Sequence, residues 1–231
     1  MSSNSWYDYS SLFKAEHIKA GLISKRKTFP DRSKSDYKFI CNKLGLDTTG
    51  LVIPEQVHSN RIMVCGQSGA PVRADGLINR NNYSVVLSIK VADCIPIYLM
   101  DTENNVIGLI HAGWRGIIDN IIIKALKNFK QLGCDPDNIT AVLGPSVRRC
   151  CFEVGLDVAE KFNNQYVQYK ENNFPHVNLQ AKVQGDLLNS GMTLSNIHDV
   201  GECSVCNNEF ESYRRDGNNA GRMIAVIGFS N

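Results

Sequence analysis

Histidine is scarce in this chain, with five copies in 231 residues. A surplus of charge of one sign is also missing, because 25 basic side chains face 23 acidic ones and the formal net charge is +2. The basic residues come as scattered groups, such as Lys25-Arg26-Lys27, Arg148-Arg149 and Arg214-Arg215. They are too few and too dispersed for a nucleic-acid or anionic membrane surface, so neither partner is expected. Long apolar runs are absent as well. The most apolar stretch, VVLSIKVADCIPIYLM, is interrupted by Lys90 and Asp93 and falls short of the ~20 residues a membrane-spanning helix needs. The opening MSSNSWYDYSSLFKAEHIKA has no cationic segment followed by an apolar one, so it does not read as a secretory signal. A soluble cytoplasmic protein is the expectation, and its eight cysteines are expected as reduced thiols.

Internal repeats, low-complexity tracts and Pro/Gly/Ser-rich linkers do not occur, which predicts a single domain over residues 1–231. Hydrophobic residues at 43% are enough for a sizeable core. Residues 34–46 carry Tyr37, Ile40, Cys41 and Leu44 at helical spacing, with Gly45 as the stop. Short strands are predicted over Leu51–Ile53, Arg61–Val64, Tyr83–Ile89, Ile95–Met100, Val106–Ile110 and Ile139–Leu143, with an irregularity at Pro96. Helices are predicted over Ile117–Leu132, from Leu156 to Phe162, and over Val177–Gly191 with Leu179, Val183, Leu187 and Leu188 on the buried side. The closing segment reads as a loop followed by a strand. Strands and helices interleave without a strict alternation, which predicts an α/β fold with a mixed β-sheet covered by helices.

Two histidines lie at strand ends, His58 in EQVHSN and His111 in IHAGWRG, and Cys94 in VADCIP falls at a third such junction. Two imidazoles and a thiolate would make a three-ligand zinc set with a fourth position open to water or substrate. The separations along the chain do not themselves require a shared site. His111 could equally cap a turn and Cys94 could be a small core residue.

These stretches also resemble a known family. EQVHSN, ADGLI (74–78), VADCIPIYLMD (91–101), IGLIHAGWRGI (107–117), LGPSVRRCCFEVG (143–155) and SYRRDGNNAGRM (212–223) are similar, in order, to the motifs of the YfiH family, also called the laccase-domain or polyphenol oxidase family. The likeness runs over residues 50–231. It departs at the N-terminus, where AGLISKRKTFPDRSKSDYKF stands in place of a Gly-rich GGVS-type segment with Asn-Leu and Asn-Arg pairs. The resemblance implies a layered α/β fold related to certain cysteine-hydrolase-like toxins. It further implies one Zn²⁺ on His58, Cys94 and His111; Cu²⁺ could replace it there, since Cu²⁺ outcompetes Zn²⁺ at nitrogen and sulfur sites. The implied activities are phosphorolysis of adenosine, inosine and methylthioadenosine, and deamination of adenosine. Purine nucleosides and phosphate are therefore the expected partners, and the protein is expected as a monomer or homodimer.

Phosphorolysis needs a cation for phosphate, and Arg115 is the best candidate, although a surface salt bridge is the alternative. Asp75, Asp93 and Glu153 are the carboxylates in the matched motifs that could move protons or orient a ligand histidine. One of Cys150 and Cys151 could line the site, although adjacent buried thiols in a turn fit them at least as well, and Cys203 and Cys206 read as a lone pair of packed or redox-inert thiols, because no second CxxC exists to complete a zinc site. Arg214 and Arg215 fit phosphate or acidic partners equally well, and Trp114 could stack on a purine or pack under the helix, with packing favoured. His17, His176 and His198 are expected at the surface. Three rival functions share these residues. A copper-dependent phenol oxidase of the multicopper kind would consume around ten histidines, more than the chain has. A metal-free hydrolase would use Cys94 as nucleophile and His111 as base. A non-catalytic partner-binding domain would use His111 for a protein contact and not for catalysis.

Overall fold

The computed structural model describes residues 6–24, 34–66, 73–80, 85–170 and 173–230. The predicted strand start at Tyr83, and residues 25–33 of the departing stretch, lie outside the described residues. In chain order the strands are β1 (Trp6–Asp8), β2 (Ile18–Ile23), β3 (Leu51–Val52), β4 (Ile62–Val64), β5 (Gly76–Arg80), β6 (Val86–Val91) and β7 (Ile95–Asp101). They continue with β8 (Val106–Ala112), β9 (Ile139–Leu143), β10 (Val167–Tyr169), β11 (Pro175–Val177), β12 (Ile197–Asp199) and β13 (Met223–Phe229). The helices are α1 (Lys34–Leu44), α2 (Trp114–Ile118), α3 (Ile121–Gln131), α4 (Leu156–Ala159), α5 (Leu179–Asn189) and α6 (Tyr213–Asp216). No helix among the described residues is long and apolar enough to cross a membrane.

The mixed α/β class expected from the sequence is what forms, with the strands divided between two main sheets. One has the order β1-β2-β13-β6-β3, the other β12-β9-β7-β8-β5-β4, and both mix parallel with antiparallel pairs. Alternation along the strands explains how they stack. In β7, Tyr98 and Met100 face the other sheet, where they meet Leu87, Ile89, Ala225 and Ile227, while Ile97 and Leu99 face away. That outer face is covered by α3 and α5, and the outer face of the first sheet by α1 through Tyr37, Ile40 and Leu44. The result is four layers, helix, sheet, sheet, helices, with the Tyr98 hydroxyl donating to the Gly21 carbonyl across the middle at 2.9 Å. Gly108 in β8 has no side chain because the Phe129 ring occupies that space; an added Cβ would sit 2.9 Å from it. Truncating the fully buried Phe129 to alanine should cost ~3–5 kcal/mol.

Several sequence expectations need correction. The helix predicted over Ile117–Leu132 is two helices, because Asn120 adopts a left-handed φ of 63° and breaks the run between α2 and α3. Pro96 causes no irregularity in β7. It pairs opposite His111, and its carbonyl accepts from Gly144 beyond the end of the β7–β9 ladder, which begins at Ile97. Val177 belongs to β11 rather than to the following helix, which starts after the Asn178 cap. Leu188 is 40% exposed, whereas Leu179, Val183 and Leu187 are buried as expected.

Candidate metal centre and cleft

The topology brings one end of three adjacent strands together. β8 runs antiparallel to both β7 and β5, so its last residues lie beside the first residues of those two strands. His111 is the second-to-last residue of β8, Cys94 immediately precedes β7, and Asp75 immediately precedes β5. His58 arrives on the loop before β4. The donor atoms of His58, Cys94 and His111 all lie within 4.8 Å of one another. The two imidazoles meet edge to face, with centroids 4.9 Å apart.

Asp75 organises this cluster from beneath. It is fully buried, and its Oδ1 accepts from the His111 ring at Nδ1 (2.9 Å) and from the His58 backbone N–H (3.0 Å). Its Oδ2 accepts from the N–H groups of Val57 and Ser59 and from the Ser59 hydroxyl, at 3.3, 2.7 and 2.8 Å. Three successive backbone N–H groups thus converge on one carboxylate, which is possible because His58 adopts a left-handed φ of 56°. Non-glycine residues avoid that region at a cost of ~1–3 kcal/mol, and the Asp75 bonds offset it here. Burial alone would raise the Asp75 pKa, but the bonds from His111 and Ser59 outweigh it and hold the carboxyl down at about 2.

With Nδ1 committed to Asp75, the other ring nitrogen of His111 faces Cys94, and Cys94 is also hydrogen-bonded to His58. Burial opposes ionisation of the thiol, yet His111 and then His58 bring its pKa down to about 6. Burial likewise works against charge on His111, while Asp75 and Cys94 push its pKa up to about 9. A soft thiolate and two imidazoles, one oriented by a carboxylate, are a donor set suited to a metal ion. The two glycines around Trp114 serve this packing rather than a tight turn. A Cβ at Gly113 would approach Cys94 Sγ to 3.1 Å, and one at Gly116 would approach the Ser59 carbonyl to 2.9 Å.

Above the cluster opens a cleft of about 910 Å³. Its walls carry the cations Lys90, Arg115, Arg214 and Arg222 and the aromatic side chains Trp114, Phe152 and Tyr213. The Arg115 guanidinium lies over the Trp114 ring at 4.4 Å, and Arg214 lies over Phe152 at 5.7 Å. Trp114 is half-buried, packing against the core below while facing the cleft above. Asp93 also borders the cleft, at a left-handed φ of 80°, with its two carboxylate oxygens accepting from the Ser204 hydroxyl (2.7 Å) and the Arg214 backbone N–H (2.6 Å). The adjacent arginines divide the two roles left open for them. Arg214 faces the cleft, while Arg215 bonds the carbonyls of Ser204, Val205 and Phe210 and the Asp216 carboxylate.

Glu153 lies outside this constellation, lining a neighbouring hollow 3.5 Å from His176. His176 is a correction: it is 4% exposed and not a surface residue, with Nδ1 bonded to the Arg149 carbonyl. The cysteines bring a second correction, because Cys203 and Cys206 are not a lone pair. Their sulfurs meet those of Cys150, which is exposed, and Cys151, which is half-buried. Sequence reasoning missed Lys90, Tyr213 and Arg222 as cleft residues. The last two stand inside the SYRRDGNNAGRM motif, where the density of cations was the available signal.

These features define a class: a layered mixed α/β protein whose strand ends hold a His₂Cys donor set under a cationic cleft. The chain belongs to the multi-copper polyphenol oxidoreductase laccase family, whose model matches residues 25–230. It is 33% identical over 203 residues to Adenosine deaminase RL5 from an unknown prokaryotic organism, covering 80% of this chain and 77% of that protein. It is 31% identical over 215 residues to the purine nucleoside phosphorylase of Haemophilus influenzae, covering 85% and 81%. Among solved structures, the hypothetical protein YfiH of Bacillus licheniformis superposes with a TM-score of 0.84 at 23% identity, covering 92% of this chain and 93% of that one. YlmD of Geobacillus stearothermophilus gives 0.84 at 25%, covering 93% of each. The YfiH-family resemblance read from the motifs is thereby borne out.

Proposed function

We propose that the cleft binds a purine nucleoside together with phosphate and cleaves the glycosidic bond, releasing free base and ribose phosphate, with deamination of adenosine as a second activity. Adenosine, inosine and methylthioadenosine are the substrates in this reading. The observation that carries it is one juxtaposition: three metal donors on the cleft floor, four cations on its walls, and aromatic faces between them. The names of the two relatives, a deaminase and a phosphorylase, support it.

His58, Cys94 and His111 would hold zinc, which when bound supplies Lewis acidity at the cleft floor, and copper fits the same donors. Arg115 presents a planar fork of N–H groups to phosphate, steadied by the Trp114 ring beneath it. Tyr213, exposed on the cleft wall, offers a face on which a purine can stack. As the glycosidic bond breaks, its electron pair leaves with the purine, and the cationic walls stabilise the charge that develops there and on the phosphate. Asp75 and Asp93, the sequence candidates for proton transfer, have both carboxylate oxygens engaged by protein donors, and they act as positioning residues. Asp75 holds His58 and His111, whereas Asp93 fixes Arg214 at the cleft wall.

One observation favours a second reading. Cys94, His111 and Asp75 form a thiol–imidazole–carboxylate chain, the arrangement of a cysteine hydrolase. The same experiment separates the two. Protein of known metal content is incubated with adenosine, inosine and methylthioadenosine, with and without phosphate, and every product is identified. Phosphate-dependent release of free base that disappears on chelation supports the proposal. Full turnover by metal-free protein, lost when iodoacetamide alkylates Cys94, would instead establish the hydrolase. Arg115→Ala should impair phosphorolysis more than deamination; equal losses would remove Arg115 from the phosphate site.

A further inference from the structure

Outside the cleft, the described residues contain one other gathering of metal-binding side chains, and the activity does not use it. The loop after β9 carries Cys150 and Cys151, the loop after β12 carries Cys203 and Cys206, and all four sulfurs lie within 4.8 Å of one another. We propose that these four cysteines are a second, structural metal site, a zinc tetrathiolate that staples the two loops together.

The distances favour a tetrahedron over disulfide pairs. Cys150 Sγ lies 3.6 Å from Cys203 and 3.8 Å from Cys206, and Cys151 Sγ lies 3.3 Å from Cys206. Zinc–thiolate bonds of about 2.3 Å in tetrahedral array place neighbouring sulfurs about 3.8 Å apart, close to this spacing. A disulfide would pair each sulfur with one partner at about 2.0 Å. Here Cys150 and Cys206 each approach two partners.

The surroundings suit thiolates. The backbone N–H groups of Cys206, Arg148 and Val205 point at Cys203 Sγ, as the turn of a Cys-x-x-Cys segment allows. The Arg148 guanidinium lies close to Cys150 and Cys203, and the Lys170 ammonium donates to the Cys150 carbonyl at 2.7 Å. Four thiolates around a divalent ion leave two negative charges; Lys170 lies beside them, and Arg148 shares its charge with Asp199. On binding, each thiol releases its proton to solvent, so four protons leave for one Zn²⁺ and no oxidant is needed.

The position explains what such a staple would do. The same two loops are already laced by backbone bonds from Ser146 to Glu202 and from Ser204 to Ser146, and the Gln180 amide of α5 holds the first loop at Ser146 and Val147. The first loop supplies Val147 and Phe152 to the cleft wall, and the second runs on to Tyr213 and Arg214. A metal here would fix the wall on which those side chains are mounted. Four donors close the site, so a structural role follows.

The test is metal counting on the full chain, purified with zinc and a phosphine reductant. Wild type should hold a second zinc equivalent that Cys203→Ser/Cys206→Ser lacks and His58→Ala/His111→Ala retains. Should the serine variant fail to fold, the His58→Ala/His111→Ala protein decides alone, because all four thiols remain in it. Loaded with Co²⁺, it should show the thiolate-to-cobalt charge-transfer bands and the intense visible bands of tetrahedral sulfur coordination. A single zinc in wild type that vanishes with the two histidines would overturn the proposal. So would the lack of those cobalt bands, or a 150–203 or 151–206 disulfide in the intact mass of the reduced, zinc-supplied protein.

Discussion

The two clusters of metal-binding side chains are built in opposite ways. His58, Cys94 and His111 come from one loop and two strand ends, grade from exposed His58 to buried His111 over Asp75, and leave one side open to the cleft. Cys150, Cys151, Cys203 and Cys206 come from two loops, lie near the surface, and fill all four tetrahedral corners with protein atoms. Three donors fixed by a sheet and a buried carboxylate can hold an ion and still admit a reactant. Four donors on loops can only hold the loops. The difference teaches that the number of donors and their backing, rather than the donor type alone, separate a reactive centre from a staple.

The comparison breaks most simply at the open cluster. His111→Ala and Cys94→Ser should each lose the cleft metal and reduce nucleoside turnover to background, while the Cys₄ zinc stays in place. Metal analysis and product assays on the same preparations check this. Retention of the cleft metal in either variant would falsify that residue's place as a ligand.

A smaller effect is expected one step further out. Asp75→Asn keeps the shape of the side chain but replaces one carboxylate oxygen with an amide that donates, so it must face either His111 or the nest of N–H groups at 57–59 with a donor. Losses of this kind typically cost ~10- to 100-fold in metal affinity or activity. Measured zinc affinity should fall by that amount, and activity should recover with added zinc. A variant with unchanged affinity would mean that His58 and His111 hold their positions without the carboxylate.

How far the sequence revealed each cluster follows from the physics of each. The strand over Ile139–Leu143 was legible to the residue, because an apolar run there is bounded by Asn138 and Gly144. The helix break at Asn120 was not, since a left-handed asparagine looks in sequence like any polar position on a helix. His58, Cys94 and His111 stood out as polar residues at the ends of apolar strands, but only the motif resemblance joined them, because their proximity depends on antiparallel pairing of β5, β7 and β8. The four-cysteine cluster hides in the sequence for a related reason. A Cys₄ zinc site usually shows as two CxxC pairs, whereas here an adjacent pair, Cys150-Cys151, completes Cys203 and Cys206 across 53 residues that spacing alone cannot fold together. The polar neighbours of His176 point to the surface, yet His176 is buried where β11 pairs with β10.

The smallest expected effect concerns the brace beside the closed cluster. Arg148 and Asp199 make two parallel bonds of 2.8 Å, tying the loop that carries Cys150 to the end of β12, which leads to Cys203. Burial would raise the Asp199 pKa, but the Arg148 bonds and the Gly201 N–H prevail and lower it. A carboxyl whose folded pKa lies below its unfolded value of about 3.9 contributes stability that is present above about pH 4 and lost as pH falls through the folded value. Asp199→Asn should therefore destabilise the protein by ~1.5–3 kcal/mol at neutral pH, the worth of hydrogen bonds to a charged group. The gap between wild type and variant should narrow as the solution is acidified below pH 4, as read by denaturant unfolding at a series of pH values. Turnover should change far less than in Asp75→Asn, because neither Arg148 nor Asp199 faces the cleft. If the gap stayed constant into acid, the pair would be contributing through packing rather than charge, and the closed cluster would owe its geometry to the backbone lacing between Ser146 and Ser204 alone.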